Sequence, residues 1–240
     1  MGQHREDFRG QGRLKLQVLS AGAAKALVTA VAEQAGLTLD GTFGAVGAIR
    51  DKLMAGEPCD VIVLTRTMID DLAKAKRVED DSIGNLGRVK TGVAVKNGAP
   101  LPNVSSAAGL TSALLGAEAI FLPDLAKSTA GKHIADVLKE LGIADEVASR
   151  IREFPNGAAA MKAMADSPGD FAVGCTQVSE ILHTPGVALV GPLPAEFELE
   201  TVYSAAVCAC AADAADARRF VALLSGRSTL ELRSEAGFEP

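Results

Sequence analysis

Five short segments are rich in small and hydroxyl-bearing residues, and they are the best candidates for binding a ligand. Each segment follows a predicted strand or opens a predicted helix. The segments are Ser20-Ala21-Gly22, Gly44-Ala45-Val46-Gly47, Thr65-Arg66, Lys127-Ser128-Thr129-Ala130-Gly131 and Cys175-Thr176-Gln177. In open α/β sheets, ligands bind beyond the carboxyl ends of the strands, where helix N-termini present N–H groups to negative charge. Several such termini around one cleft would bind a small anion with little side-chain charge. Each segment by itself could also be an ordinary helix cap or tight turn.

Nine residues in these segments are the candidate ligand contacts. They are Ser20, Gly22, Ala45, Val46, Arg66, Ser128, Thr129, Cys175 and Thr176. Arg66 could hold a carboxylate through two parallel hydrogen bonds, and the alternative is an exposed arginine without a role. Cys175 is the only soft titratable side chain at a predicted cleft strand end, which makes it the catalytic candidate if the protein is an enzyme. The alternative for Cys175 is a buried inert thiol.

Motifs of other chemistries do not occur in the sequence. It has no GxxxxGK[ST] phosphate loop, no GxSxG nucleophile elbow and no HExxH zinc motif. Its four cysteines form no CxxC pair, so we expect neither a metal site nor a cofactor. The net charge of −6 argues against a nucleic-acid binder, and a chain with no Trp cannot build a sugar site from stacked indoles.

The elements that position these segments follow an α/β pattern. Apolar runs predict strands at 14–20, 37–43, 61–65, 88–96, 119–124, 171–175 and 201–209. Helical spacing of apolar residues lies between most of these strands, and Ser128, Asn156 and Thr176 are the expected N-caps of three helices. Strands that alternate with helices indicate largely parallel sheets.

The chain is predicted to divide into two lobes. The connector NGAPLPN (97–103) predicts a crossing into a second lobe, and the strand at 201–209 predicts the return to the first. We therefore expect a disordered leader at residues 1–13, a first lobe from 14–98 plus 198–240, and a second lobe from 99–197.

Several segments, taken in order, resemble one known family. They are SAGAAKAL (20–27), FGAVGAI (43–49), GEPCDVIVLT (56–65), FAVGCTQVSEIL (171–182), TVYSAAVCA (201–209) and the closing GFEP (237–240). This order is similar to that of the molybdate-binding group of type II periplasmic solute-binding proteins, from about Leu14 to the end of the chain. The resemblance implies two α/β lobes that close on a small anion like a Venus flytrap, with an ABC permease as a partner if the protein is exported.

Departures from this family change the expected ligand. Its binders of tetrahedral oxyanions carry hydroxyl residues in the first two loops, where this chain has Gly22 and the Ala45-Val46 pair. The tyrosine that usually follows the FAVG-like strand is replaced by Cys175 or Thr176. A carboxylate with some apolar body therefore fits these positions better than molybdate or tungstate.

The printed start also departs from an exported receptor. MGQHREDFRGQGR has no apolar signal-peptide core, and no apolar stretch in the sequence is long enough for a membrane helix. We therefore expect no membrane insertion and a cytoplasmic protein, or a periplasmic one if the native start lies elsewhere.

Three functions remain open at this point. We favour reversible binding of a small anion, because no acid–base pair stands out in the predicted loops. Some relatives of this fold resemble isomerases of unsaturated polycarboxylic acids, such as aconitate isomerase. A cytosolic isomerase that shifts a proton on a carboxylic acid is therefore the alternative, and a ligand sensor is the third possibility.

Overall fold

The computed structural model describes residues 15–169 and 171–240, so the leader predicted at residues 1–13 lies outside the described residues. The strands are β1 (Lys15–Ala21), β2 (Thr38–Gly44), β3 (Val61–Thr65), β4 (Gly84–Lys96), β5 (Ala119–Pro123), β6 (Ile151–Phe154), β7 (Ala172–Gln177), β8 (Val187–Pro192) and β9 (Glu200–Val207). The helices are α1 (Lys25–Ala35), α2 (Val46–Met54), α3 (Arg66–Lys74), α4 (Ala107–Gly116), α5 (Thr129–Glu140), α6 (Ala144–Val147), α7 (Gly157–Asp166), α8 (Val178–Leu182), α9 (Ala214–Ser225) and α10 (Leu230–Glu235).

The fold is a two-lobed α/β architecture in which the strand β4 belongs to both sheets. The strands follow the order β2-β1-β3-β9-β4-β7-β5-β6, and β8 also pairs with β4. One half of β4, residues 84–90, pairs with β9, and the other half, residues 91–96, pairs with β7 and β8. The sheets of the two lobes are therefore joined through one long strand that bends between them.

The predicted parallel pairing is found where strands alternate with helices. Strand β1 pairs in parallel with β2 and β3, and β5 pairs in parallel with β6 and β7. Strands β4, β8 and β9 pair antiparallel with their neighbours. Parallel neighbours need a long crossover connection, usually a helix, whereas antiparallel neighbours do not.

Two large hydrophobic cores define the lobes used below. The first core includes Leu16, Val63 and Phe220, and it contains buried residues from 16–89 and from 203–238. The second core includes Leu110, Ile134 and Val173 and contains buried residues from 93–193, with a smaller cluster around Met161 and Met164 beside it. The lobe boundaries predicted at 98/99 and 197/198 stay predictions.

Local capping signals predicted two helix starts correctly and one incorrectly. Ser128 caps α5 by accepting a hydrogen bond from the N–H of Gly131, and Asn156 caps α7 by accepting one from Ala159. Thr176 was expected to cap a helix, and that prediction is wrong. Strand β7 continues to Gln177 because both residues pair with β4, so α8 begins only at Val178.

None of the helices in residues 15–169 and 171–240 combines the length and the apolar character that a membrane-spanning segment requires.

Candidate functional site

A narrow cleft lies between the lobes, at the ends of strands β1, β2 and β7. The first lobe lines it with Ala21, Gly22, Ala23, Gly44, Ala45, Val46 and Tyr203. The second lobe lines it with Ser128, Thr129, Asn156, Gly157, Gln177 and Glu180. The free volume of the cleft is only about 20 Å³, which is roughly enough for one water molecule.

Three helices begin at the cleft and give it electrostatic character. Helix α2 starts after Ala45, α5 after Ser128 and α7 after Asn156. Each cap side chain in the second lobe bonds to a single N–H, at 3.4 Å for Ser128 Oγ to Gly131 and 2.9 Å for Asn156 Oδ1 to Ala159. The first four N–H groups of a helix have no partner within the helix, so the other N–H groups at these ends favour an anion.

One carboxyl group, that of Glu180 on α8, already lies at the start of α7. The side chain of Glu180 accepts a hydrogen bond from the N–H of Ala158 at 3.3 Å and one from the hydroxyl of Thr176 at 2.6 Å. The N–H groups of Gly157 and Gln177 also favour its charged form. Burial outweighs these contacts and raises the pKa of Glu180 above its ordinary value.

Two glycines make room for this carboxyl group. A Cβ atom at Gly22 would lie 2.6 Å from Glu180 Oε1, which is too close for a real contact. A Cβ atom at Gly157 would overlap both Thr176 Oγ1 and Glu180 Oε2. Gly22 belongs to the first lobe and Gly157 to the second. The two lobes can therefore approach Glu180 closely only because neither position carries a side chain.

The lobes touch directly beside the cleft. The N–H of Gly47 at the start of α2 donates a hydrogen bond to the carbonyl of Lys127, just before α5, at 3.0 Å. Lys127 Nζ lies 3.5 Å from Asp51 Oδ2, which adds an ion pair between the lobes. The pKa of Asp51 is lowered, first by its hydrogen bond with Arg50 and also by the charge of Lys127. The structure is therefore a closed form.

Five of the predicted ligand contacts line the cleft, namely Gly22, Ala45, Val46, Ser128 and Thr129. Ser20 and Arg66 are not among the described residues that line it. Ser20 is fully buried, and its hydroxyl donates to the carbonyl of Ala21 at 3.0 Å. The guanidinium of Arg66 is held by Asp70 at 2.8 Å and by Asn85 at 3.1 Å.

The prediction that Cys175 stands at the cleft is wrong. Its side chain is fully buried in the second core, because β7 runs two residues past it. Burial raises the pKa of the Cys175 thiol to about 12, so the thiolate is absent at neutral pH. Thr176 is also fully buried, and its hydroxyl donates a hydrogen bond to the carboxyl group of Glu180.

Eight lining residues are not among the nine candidates, namely Ala21, Ala23, Gly44, Asn156, Gly157, Gln177, Glu180 and Tyr203. Ala21, Gly44 and Gln177 belong to the five segments named from the sequence, and among the others Glu180 gave the clearest signal. It is an acidic residue between Val178 and Ile181 in a mostly apolar segment, and such a residue is buried only if it is hydrogen-bonded.

A larger cavity of about 420 Å³ adjoins the cleft on one side. It shares Gly22, Ala158 and Glu180 with the surroundings of the cleft carboxyl group, and its walls come from α1, α8 and α10. Lys25 on α1 is the one lysine on those walls among the described residues. Glu180 therefore separates a tight cleft from a roomier space.

Comparisons with known proteins agree with this geometry. A family model described as bacterial extracellular solute-binding protein matches residues 16–239. An aconitate isomerase from Pseudomonas sp is 26% identical over 194 residues, which cover 80% of this chain and 72% of that protein.

Two solved structures share the fold. The periplasmic molybdate-binding protein of Azotobacter vinelandii superimposes with a TM-score of 0.76 at 20% identity, covering 94% of this chain and 99% of that one. The sulfate-binding protein SubI of Mycobacterium tuberculosis gives a TM-score of 0.69 at 18% identity, covering 94% of this chain and 86% of that one.

Proposed function

Because the chain belongs to the bacterial extracellular solute-binding proteins, we propose that it binds a small carboxylate reversibly in the cleft between its lobes. The observation that carries this proposal is Glu180. The N–H groups at the start of α7 and the hydroxyl of Thr176 already hold a carboxylate in the cleft. A site with donors arranged for one carboxylate is suited to receive another.

The donor pattern favours a carboxylate over a tetrahedral oxyanion. Gly22, Ala45 and Val46 bring no hydroxyl to the first-lobe wall, and the hydroxyl of Ser20 is directed to the carbonyl of Ala21 instead. The hydroxyl groups of Ser128 and Thr129 lie on the opposite wall. Apart from Tyr203 and the N–H groups at the start of α2, the first-lobe wall offers only glycine, alanine and valine residues. This contrast with the second-lobe wall suits an anion with one charged end and an apolar body.

The test is a panel of anions measured on the full chain. Thermal unfolding is followed with molybdate, tungstate, sulfate, succinate, citrate and cis-aconitate, and each stabilising compound is then titrated by calorimetry. We expect saturable stabilisation by at least one carboxylate, because a ligand that binds only the folded state raises its stability. Stabilisation by molybdate with none by any carboxylate would contradict the proposed ligand class.

Membership of this family also suggests a protein partner for the chain. If the protein serves as a transport receptor, the partner that we propose is an ABC permease that docks on the closed lobes. Co-purification of this chain with a permease encoded beside it, increased by the stabilising anion, is the expected result. The same assay with an anion-free sample provides the control.

A second candidate is an isomerase that shifts a proton on an unsaturated carboxylic acid. The 26% identical aconitate isomerase favours it, and so does Glu180, whose raised pKa suits a group that gives and takes a proton in a closed site. Incubating the protein with cis-aconitate in D₂O decides between the two functions. Deuterium incorporation or a new isomer supports the enzyme, whereas an unchanged bound ligand supports the receptor.

A further inference from the structure

The closed cleft has no space for a ligand anion as it stands. Its free volume is about 20 Å³, yet the lobes are already joined by the Gly47–Lys127 hydrogen bond and the Lys127–Asp51 ion pair. Further closure cannot create room. A carboxylate can be enclosed between the lobes only if a group that now fills the cleft moves away.

The group that fills the cleft is the side chain of Glu180. It is 8% exposed, and its carboxyl group uses the N–H of Ala158 and the hydroxyl of Thr176. The absence of side chains at Gly22 and Gly157 leaves a carboxylate-sized space at this point, bounded by both lobes. Glu180 thus satisfies the donors that would otherwise face an empty cleft.

A space that can receive the displaced side chain lies directly beside it. The cavity of about 420 Å³ has Glu180 in its wall and Lys25 on the opposite helix. The hydroxyl of Ser179, in the same wall, is buried and has no hydrogen-bond partner among the described residues. Rotation of the Glu180 side chain toward this cavity would free the N–H of Ala158 and the hydroxyl of Thr176 for another carboxylate.

We propose that Glu180 is an internal competitor of the ligand, and that a carboxylate binds by taking the donors of α7 while Glu180 turns into the neighbouring cavity. This inference rests on the carboxylate-binding function proposed above. It makes Glu180 a residue that determines specificity. An anion can displace Glu180 only if it accepts hydrogen bonds from the same donors as strongly as a carboxylate does.

The decisive experiment uses acetate as a substitute for the missing side chain. In Glu180→Ala the donors of α7 and a carboxylate-sized space are left empty, so acetate should raise the unfolding temperature of this variant saturably. Wild-type protein, whose donors are occupied, should gain far less. Glu235→Ala, which removes a carboxyl group from the same cavity but not from the cleft, is the matched control and should behave as wild type. Equal acetate effects on all three proteins would overturn the proposal.

A second variant keeps the proposal testable if Glu180→Ala does not fold. Glu180→Gln has the same shape but no charge to compete, so it should bind the stabilising carboxylate of the anion panel about tenfold tighter. Weaker binding by Glu180→Gln, or loss of deuterium exchange, would show that Glu180 serves the ligand and would overturn the competitor role. If no carboxylate binds wild-type protein, the proposed function fails, and the acetate experiment still decides the role of Glu180.

Discussion

The two walls of the cleft differ in kind. Apart from Tyr203, the first lobe contributes only glycine, alanine and valine residues, and it reaches the cleft mainly through its backbone. The second lobe contributes the hydroxyl, amide and carboxyl groups of Ser128, Asn156 and Glu180, together with two helix starts. On the proposed function, we expect the second lobe to select the chemistry of the ligand and the first lobe to set how closely the walls approach.

The contact between the lobes fits this division. On the first-lobe side it uses the backbone N–H of Gly47 and the side chain of Asp51, neither of which is among the described residues that line the cleft. Substitutions in the second lobe should therefore alter affinity and selectivity for anions. Substitutions in the first lobe should alter closure, with similar effects on all anions.

The largest effect is expected from Ser128→Ala combined with Thr129→Ala. The pair removes two hydroxyl donors from the cleft and leaves the amides of α5 in place. Hydrogen bonds to a charged group are worth about 1.5–3 kcal/mol each, so affinity should fall at least tenfold. Calorimetric titration measures the affinity, and chemical unfolding measures the stability that is lost with the cap, about 1 kcal/mol.

A matched control for this pair is Ser106→Ala. Ser106 caps α4 through the same type of bond, from the N–H of Gly109 at 3.2 Å, and it is not among the described residues that line the cleft. It should lose similar stability and keep its affinity. If the double variant also keeps its affinity, the second lobe does not select the ligand in the way described.

A smaller effect is expected from Gly47→Ala in the first lobe. The new Cβ would lie 3.1 Å from the carbonyl oxygen of Lys127 and 3.2 Å from its Cα, so the lobes must separate slightly. Affinity for every anion should fall by the same severalfold factor in calorimetric titrations. Gly191→Ala is the control, because its Cβ would meet Val104 only at 4.0 Å and Gly191 is not among the described residues that line the cleft. A change in the order of anion affinities in Gly47→Ala would argue against a purely geometric role for this wall.

The pH dependence of stability tests the second-lobe wall without any ligand. The folded-state pKa of Glu180 is raised above its ordinary value of 4.5. The stability that the protonated side chain contributes is therefore fully present below pH 4.5 and is lost as the pH rises through the raised value.

Glu180→Gln should not show this loss, so its stability relative to wild type should increase with pH in unfolding curves. Thr176→Val, which removes a hydroxyl that lowers the pKa of Glu180, should strengthen the wild-type trend. Parallel profiles for wild type and Glu180→Gln would refute the assignment.

The smallest effect concerns the thiols, which also differ between the lobes. In the first lobe Cys59 and Cys208 are buried with their sulfur atoms 3.2 Å apart, and Cys210 is exposed nearby, whereas Cys175 is buried in the second lobe. The hydrogen bond with Cys59, and then burial, raise the pKa of Cys208, which slows its reaction further. A thiol reagent should label Cys210 alone in the native protein and all four cysteines after unfolding. Peptide mapping by mass spectrometry identifies the labelled residues, and rapid native labelling of Cys175 would show that the second core opens.

Sequence reasoning could predict features that depend on near neighbours. The strands near 61–65 and 88–96 follow from continuous apolar runs, and the caps at Ser128 and Asn156 follow from the residue type before a helix. The end of β7 depends on its pairing with β4, which is distant in the sequence, so Cys175 and Thr176 were placed at the cleft in error. The contact between Glu180 and Gly22 joins residues from different lobes, and no local pattern contains it.

The two glycines around Glu180 have an evolutionary consequence. A side chain at position 22 would collide with the carboxyl group of Glu180, and one at position 157 would collide with both that carboxyl group and the hydroxyl of Thr176. Relatives that replace Gly22 should carry a shorter residue at the position of Glu180, and relatives that replace Gly157 should also lack the threonine. Relatives that keep the glutamate should keep both glycines. An alignment of the family sorted by the residue at position 180 should therefore separate those with an internal carboxylate from those whose cleft is open to the ligand from the start.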